Sequence, residues 1–192
     1  MSLVRSKKDR RFIPHVFLMR GAQYYLSAGK EKQKEKKGGW YYDWLGAVLL
    51  SALSVEAIGN NYGEVLIPDW KDFESASPIA KLRLVATRCG VQPDFGKQPW
   101  QTARLLIIFR NRIAHAKRKY LIEEKDCTLS DWAKAFCRKL ESDLEQMITE
   151  AFAVQSCDSV EQILEILNKD LTFNERYELT FDGQADVLKM VD

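Results

Sequence analysis

An all-α bundle is the fold class this sequence predicts, and three observations predict it. Apolar residues recur at helical spacing over most of the chain, the segments so marked are joined by short turn-rich connections, and strand-like alternation is nearly absent. With 192 residues the chain suits one domain and is long enough to bury a real core. Its 46% hydrophobic and 29% charged content is ordinary for a soluble globular protein. The net charge is only +2, so any nucleic-acid contact must come from local basic patches.

The first helix opens at Pro14, because proline is well tolerated at the first helical position. It runs through Val16, Phe17, Tyr24, Tyr25 and Leu26 into the charged segment 30–37, and Gly38-Gly39 breaks it. That lysine-rich run reads as a solvated helix end or loop in preference to an RNA-binding arm. A second helix spans about Trp40 to Tyr62. A turn-rich stretch from Gly63 ends in Ser77-Pro78, an N-cap followed by proline, which starts a third helix to about Cys89, closed by Gly90. Pro99 opens a fourth, to about Lys119. Thr128-Leu129-Ser130-Asp131 resembles a capping box and opens a long fifth helix to about Val154. Asp158-Ser159-Val160-Glu161 opens a short sixth, to about Lys169. Beyond it, Tyr177 to Phe181 alternates like a short strand with little to pair with. The expected organisation is a helical bundle over residues 10–156 and a small appendage, a C-terminal helix and tail, over 157–192.

No stretch approaches the roughly 18 uninterrupted apolar residues of a membrane span, so no membrane association is expected. The basic N-terminal residues Lys7, Lys8, Arg10 and Arg11 are followed by no apolar run and cleavage site, so no secretory signal is expected either. Cys89, Cys127, Cys137 and Cys157 show no CxxC pairing and read as free thiols of a reducing compartment, with the cytoplasm as the expected location. His15 and His115 are the only histidines, and ligands this scattered predict no metal site; no cofactor is expected.

Two polar features interrupt the apolar pattern. With Leu45 as zero and about 100° per residue, Val48, Leu49, Ala52 and Leu53 form a stripe on the second helix. Glu56 lands at roughly 20°, inside that stripe, and Asn60 at roughly 60°. A carboxylate there is costly unless paired, or unless the stripe reaches solvent at the bundle's end. The fourth helix is apolar nearly all round from Leu105 to Phe109, as a central helix would be, and then turns abruptly basic: Arg110, Asn111, Arg112, His115, Lys117, Arg118, Lys119. Arg104, Ile108, Asn111 and His115 share one side, whereas Arg110 is about 140° from His115. A basic last turn that complements the helix dipole would explain the cations alone. It does not explain an Arg-Asn pair and a histidine together at the end of a buried helix.

Arg110-Asn111-Arg112-Ile113-Ala114-His115 resembles the signature of the HEPN superfamily, an arginine, often followed by a polar residue, and a histidine four to six residues on. The surroundings resemble the family too. Pro99-Trp100 looks like its proline-aromatic opening of the motif helix, and Ser54 to Asn60 like its Glu-containing second-helix segment. Ser77 to Leu82 looks like the short helix that often follows. The resemblance covers about Trp40 to Arg118. It implies a roughly four- or five-helix bundle, a homodimer in which two motifs meet across the interface, and in many members a metal-independent endoribonuclease of defence, toxin or RNA-processing systems.

The implied chemistry needs little from the protein. RNA carries its own nucleophile, the ribose 2′-hydroxyl, so an enzyme supplies proton transfer and a cation for the crowded phosphate. His115 is suited to the first and Arg110 to the second, with two phosphate oxygens in reach of its fork. Asn111 positions water or a phosphate oxygen, and Glu56 orients an imidazole or arginine. Arg112, Lys117, Arg118, Lys119 and Asn60 are the expected RNA-binding residues. In HEPN toxins paired with nucleotidyltransferase antitoxins, a tyrosine that receives AMP commonly stands two residues after the histidine. Lys117 stands there instead, which argues against that mode of control, although an antitoxin or other regulatory protein remains an expected partner class. Two other readings compete with the ribonuclease: a non-catalytic HEPN module that binds nucleotide, RNA or protein through the same cleft, and a helical scaffold whose interface includes these residues.

Overall fold

The computed structural model describes residues 3–124, 126–131 and 139–191, with the backbone alone for 3–6 and 184–191. The chain is all-α, with helices packed around a single axis. That axis is α2, Trp40–Leu66, against which α1 (Pro14–Lys34), α3 (Pro78–Arg88) and α4 (Trp100–Ala114) all pack. Its Ala47, Val48, Ala52, Val55, Ile58 and Tyr62 are fully buried, each of the larger ones contributing about 1.5–3 kcal/mol of apolar burial. By length and composition α2 could cross a membrane, but 56% of that window is buried inside the bundle. A 3-10 turn at Trp70–Phe73 folds Trp70 onto α2, where a side chain at Gly63 would overlap the indole. Gly63 is there for close approach.

The expected starts of α1 and α3 match the structure: Pro14 and Pro78 occupy first helical positions, and the Ser77 hydroxyl accepts from the Ala80 N–H. Gly90, at φ 74°, follows α3 in the left-handed conformation that favours glycine. The fourth helix is shorter and less enclosed than expected. It ends at Ala114, and Lys117, Arg118 and Lys119 follow beyond it as a run of adjacent like charges. Phe109 and Leu106 are fully buried, but Leu105 and Ile108 are 38% and 36% exposed. The central helix is therefore α2.

The C-terminal third departs most from the sequence reading. The Thr128 hydroxyl accepts from the Asp131 N–H as expected of a capping box, but residues 132–138, including Cys137, lie outside the described residues. The long helix to Val154 does not form as one piece. Ser142 and Glu145 cap each other at the start of α5, Asp143–Gln146, and the Thr149 hydroxyl caps α6, Glu150–Asn168. These two N-caps satisfy N–H groups that a continuous helix would have bonded internally. The sixth helix has no separate start at Asp158, because α6 runs through it with Ala153, Val160, Ile163 and Leu167 on one buried face. An appendage beginning at residue 157 would cut this core helix in two; α6 packs on α2, α4 and α1.

The strand expected at Tyr177–Phe181 is instead helical, in α7, Phe173–Thr180. Thr172 and Glu175 form a reciprocal capping box, and Phe173, Tyr177 and Phe181 stack at one-turn spacing. A two-stranded ribbon comes after it: β1, Leu3–Arg10, pairs antiparallel with β2, Gln184–Val191, Leu3 opposite Val191 and Arg10 opposite Gln184. Among the described residues, Cys89, Cys127 and Cys157 are free thiols.

Candidate functional site

The site grows from the packing of α4 on α2. Glu56 projects from α2 inside its apolar stripe, and Arg110 ends the buried part of α4 opposite it. Arg110 Nη2 donates to Glu56 Oε2 at 2.6 Å, with about a quarter of each side chain exposed (29% and 27%). Of the two readings open for Glu56, a partner or a stripe end at solvent, the structure supplies the partner, the motif arginine, with the pair still partly exposed. Arg110 Nη1 donates to Asn111 Oδ1 at 2.9 Å. Because the arginine claims that carbonyl oxygen, the Asn111 amide is oriented, leaving its NH2 group as a donor for other groups.

Asn111 opens onto a groove of about 840 Å³. One side is built from the exposed flank of α4 and the segment just beyond its C-terminus: Ile108, Asn111, Arg112, His115, Lys117, Lys119 and Leu121. The opposite wall is Ser142 to Glu145. His115 is the residue just past α4; its N–H donates to the Asn111 carbonyl at 3.0 Å, and its side chain is exposed. Arg112, Lys117 and Lys119 have no carboxylate partner among the described residues, so the groove presents uncompensated positive charge on this side. On the wall, Glu145 accepts from Lys139 Nζ at 2.7 Å and from the Ser142 N–H and hydroxyl, and these bonds pull its carboxyl down to about 2.

Of the residues expected to act together, Glu56, Arg110 and Asn111 form one connected array, and Asn111, Arg112, His115, Lys117 and Lys119 one groove. Arg110 does not line that groove, in keeping with its wheel angle. Asn60 belongs elsewhere: it accepts from Lys81 Nζ at 2.9 Å and lines a different cavity, beside Trp70. An RNA-binding role at the motif is therefore not supported for Asn60: it lies about 6 Å further along α2 than Glu56, at the level where α3 packs and Lys81 donates to its amide oxygen. Arg118 is not a groove residue either, its guanidinium lying 4.9 Å from the Tyr120 ring centroid. The Ser142–Glu145 wall and Leu121 were missed, although Ser142-x-x-Glu145 is itself a capping-box pattern.

His15, the other histidine, is fully buried, 5.7 Å from the Tyr62 ring, and takes a 3.4 Å bond from the Asn61 amide at Nδ1. Burial lowers its pKa to about 4, so it is held neutral as a core residue. Among the described residues no three His, Cys, Asp or Glu side chains gather as a metal cluster. The chain matches no protein-family model, no curated protein and no solved structure.

Proposed function

We propose that this protein is a metal-independent endoribonuclease of the HEPN type, working as a homodimer in the cytoplasm. The observation that carries the reading is the array in which Glu56 holds Arg110 and Arg110 orients Asn111 beside the groove that contains His115. In this reading the ribose 2′-oxygen bonds to phosphorus as the P–O5′ bond breaks. One His115 takes the 2′-hydroxyl proton, and the protonated His115 of the second copy gives a proton to the departing 5′-oxygen. Asn111 donates to a phosphate oxygen, and Arg112, Lys117 and Lys119 hold the backbone by charge. Arg110 contributes by fixing Asn111 and by its charge, since Glu56 and Asn111 already occupy both ends of its fork. Leu105 and Ile108 give α4 an exposed apolar flank beside the motif, suited to the contact that brings two grooves together.

The engagement of Arg110 by Glu56 favours one other reading, a module that binds RNA or nucleotide in the groove without cleaving it. Incubating pure protein with RNA in EDTA separates the two. The ribonuclease leaves 2′,3′-cyclic phosphate ends and loses activity in His115→Ala; the binding module retains RNA intact.

A further inference from the structure

We propose that the cavity at the C-terminal end of α2 binds a small amino-acid zwitterion with a cationic side chain, the class of free arginine and lysine. This goes beyond the ribonuclease reading and does not rest on it, since none of residues 110–115 lines the cavity. About 890 Å³ in volume, it lies between the last turns of α2, the 3-10 turn and the start of α3. Gly59 and Gly63, one turn apart on α2, let its floor close. A Cβ at Gly59 would lie 3.3 Å from that of Lys81, and one at Gly63 would overlap the Trp70 indole.

Lys81 gives that floor its charge. Only 8% of the residue is exposed, yet it pairs with no carboxylate among the described residues. Its ammonium donates to the neutral Asn60 Oδ1 at 2.9 Å and lies 5.9 Å from the Trp70 ring centroid. An ammonium has three N–H donors, and burying it without an anion is costly. The rim is the reverse. Glu64, Asp69, Asp72 and Glu74 are exposed carboxylates whose side chains make no hydrogen bond or ion pair among the described residues, against the single rim cation Lys71.

A simple anion drawn to Lys81 would have to pass the carboxylates, and a simple cation held by the rim would leave Lys81 uncompensated. A ligand that carries both signs satisfies both ends. Its α-carboxylate accepts from Lys81 Nζ, while its α-ammonium and side-chain cation lie among the rim carboxylates. The second cation follows from the charge balance, because four carboxylates outnumber the two lining ammonium groups. The volume is within the range usual for small-molecule sites.

The test is isothermal titration calorimetry of the full-length protein at neutral pH with L-arginine, L-argininamide, N-acetyl-L-arginine and L-citrulline. The last three lack, in turn, the carboxylate, the α-ammonium and the side-chain charge. Saturable binding of arginine is expected, with each of the others at least about tenfold weaker. Lys81→Met should remove the preference for arginine over argininamide. Asp69→Asn with Asp72→Asn, on the exposed rim, should weaken arginine at least about tenfold and leave the circular dichroism spectrum intact. Asparagine suits the left-handed backbone of residue 69, at φ 54°. If Lys81→Met does not fold, the ligand series on the wild type and the rim variant decide. No saturable binding of arginine overturns the proposal. So does argininamide that binds the wild type as tightly as arginine, which would make the cavity an acidic surface open to any cation. Equal binding of N-acetyl-L-arginine or citrulline, or a preference for arginine over argininamide that survives in folded Lys81→Met, overturns it as well.

Discussion

Arg110 is shared between two acceptors on different helices, Glu56 Oε2 at 2.6 Å and Asn111 Oδ1 at 2.9 Å. The guanidinium thereby joins a carboxylate of α2 to the amide that opens on the groove of α4. Both charged side chains are partly buried, so their attraction exceeds that of a surface pair without the full cost of burying charge. A double-mutant cycle of Glu56→Gln and Arg110→Gln, read by urea unfolding, is expected to give a coupling of about 1–2 kcal/mol. A coupling near zero would mean that the pair does not hold the array together.

His15 ties stability to pH. Its folded pKa of about 4 lies below the ordinary value of 6.5, because burial disfavours the imidazolium. The neutral ring therefore contributes fully above about pH 6.5, and the contribution is lost as pH falls toward 4, where the unfolded chain takes up a proton that the folded chain refuses. The loss is of the order of 3 kcal/mol. Unfolding free energies measured between these limits should fall accordingly, and His15→Gln should remove most of that slope. An unchanged slope would assign the acid sensitivity to carboxylates elsewhere.

The reciprocal cap of Thr172 and Glu175 starts a helix of only eight residues, Phe173–Thr180, which local bonding must support. Thr172→Ala should cost about 1 kcal/mol and speed amide exchange in α7 well before exchange in α2 changes. Uniformly faster exchange through the bundle would contradict a local role.

Leu105 is 38% exposed on the flank of α4 next to the motif. If that flank joins two copies, Leu105→Glu should shift sedimentation from dimer to monomer and leave the circular dichroism spectrum intact. A wild-type protein that sediments as a monomer at every concentration would remove the dimer from the account.

Helix by helix, the bundle was legible wherever a local signal was strong. Pro14, Ser77-Pro78 and Gly90 each fix backbone geometry within a residue or two, so their helices begin and end close to where the residues point. Where an element was assigned the wrong type, local patterns of similar strength competed for one segment. Tyr177–Phe181 alternates, but the cap at Thr172 and the one-turn spacing of Phe173, Tyr177 and Phe181 decide for helix. The pairing of β1 with β2 joins opposite ends of the chain, which no local pattern encodes. In the site, the wheel angle of Glu56 left two readings open, a partner or a stripe end that reaches solvent, and the structure pairs it with Arg110 with about a quarter of each side chain exposed; the angle of Arg110 announced separation from His115. The groove's second wall was not legible, because it comes from residues 142–145 brought across by tertiary packing. The same packing takes Asn60 to Lys81, a destination its angle on α2 alone does not disclose.

The central claim is that the groove at the end of α4 cleaves RNA through His115. Its most direct test is a cleavage assay on pure wild-type protein and His115→Ala in EDTA, with the 3′ ends of the products analysed. The account predicts fragments ending in 2′,3′-cyclic phosphate from the wild type and a loss of at least about a hundredfold in rate for His115→Ala. Cleavage that persists undiminished in His115→Ala, or a wild type that binds RNA and leaves it whole, would contradict it.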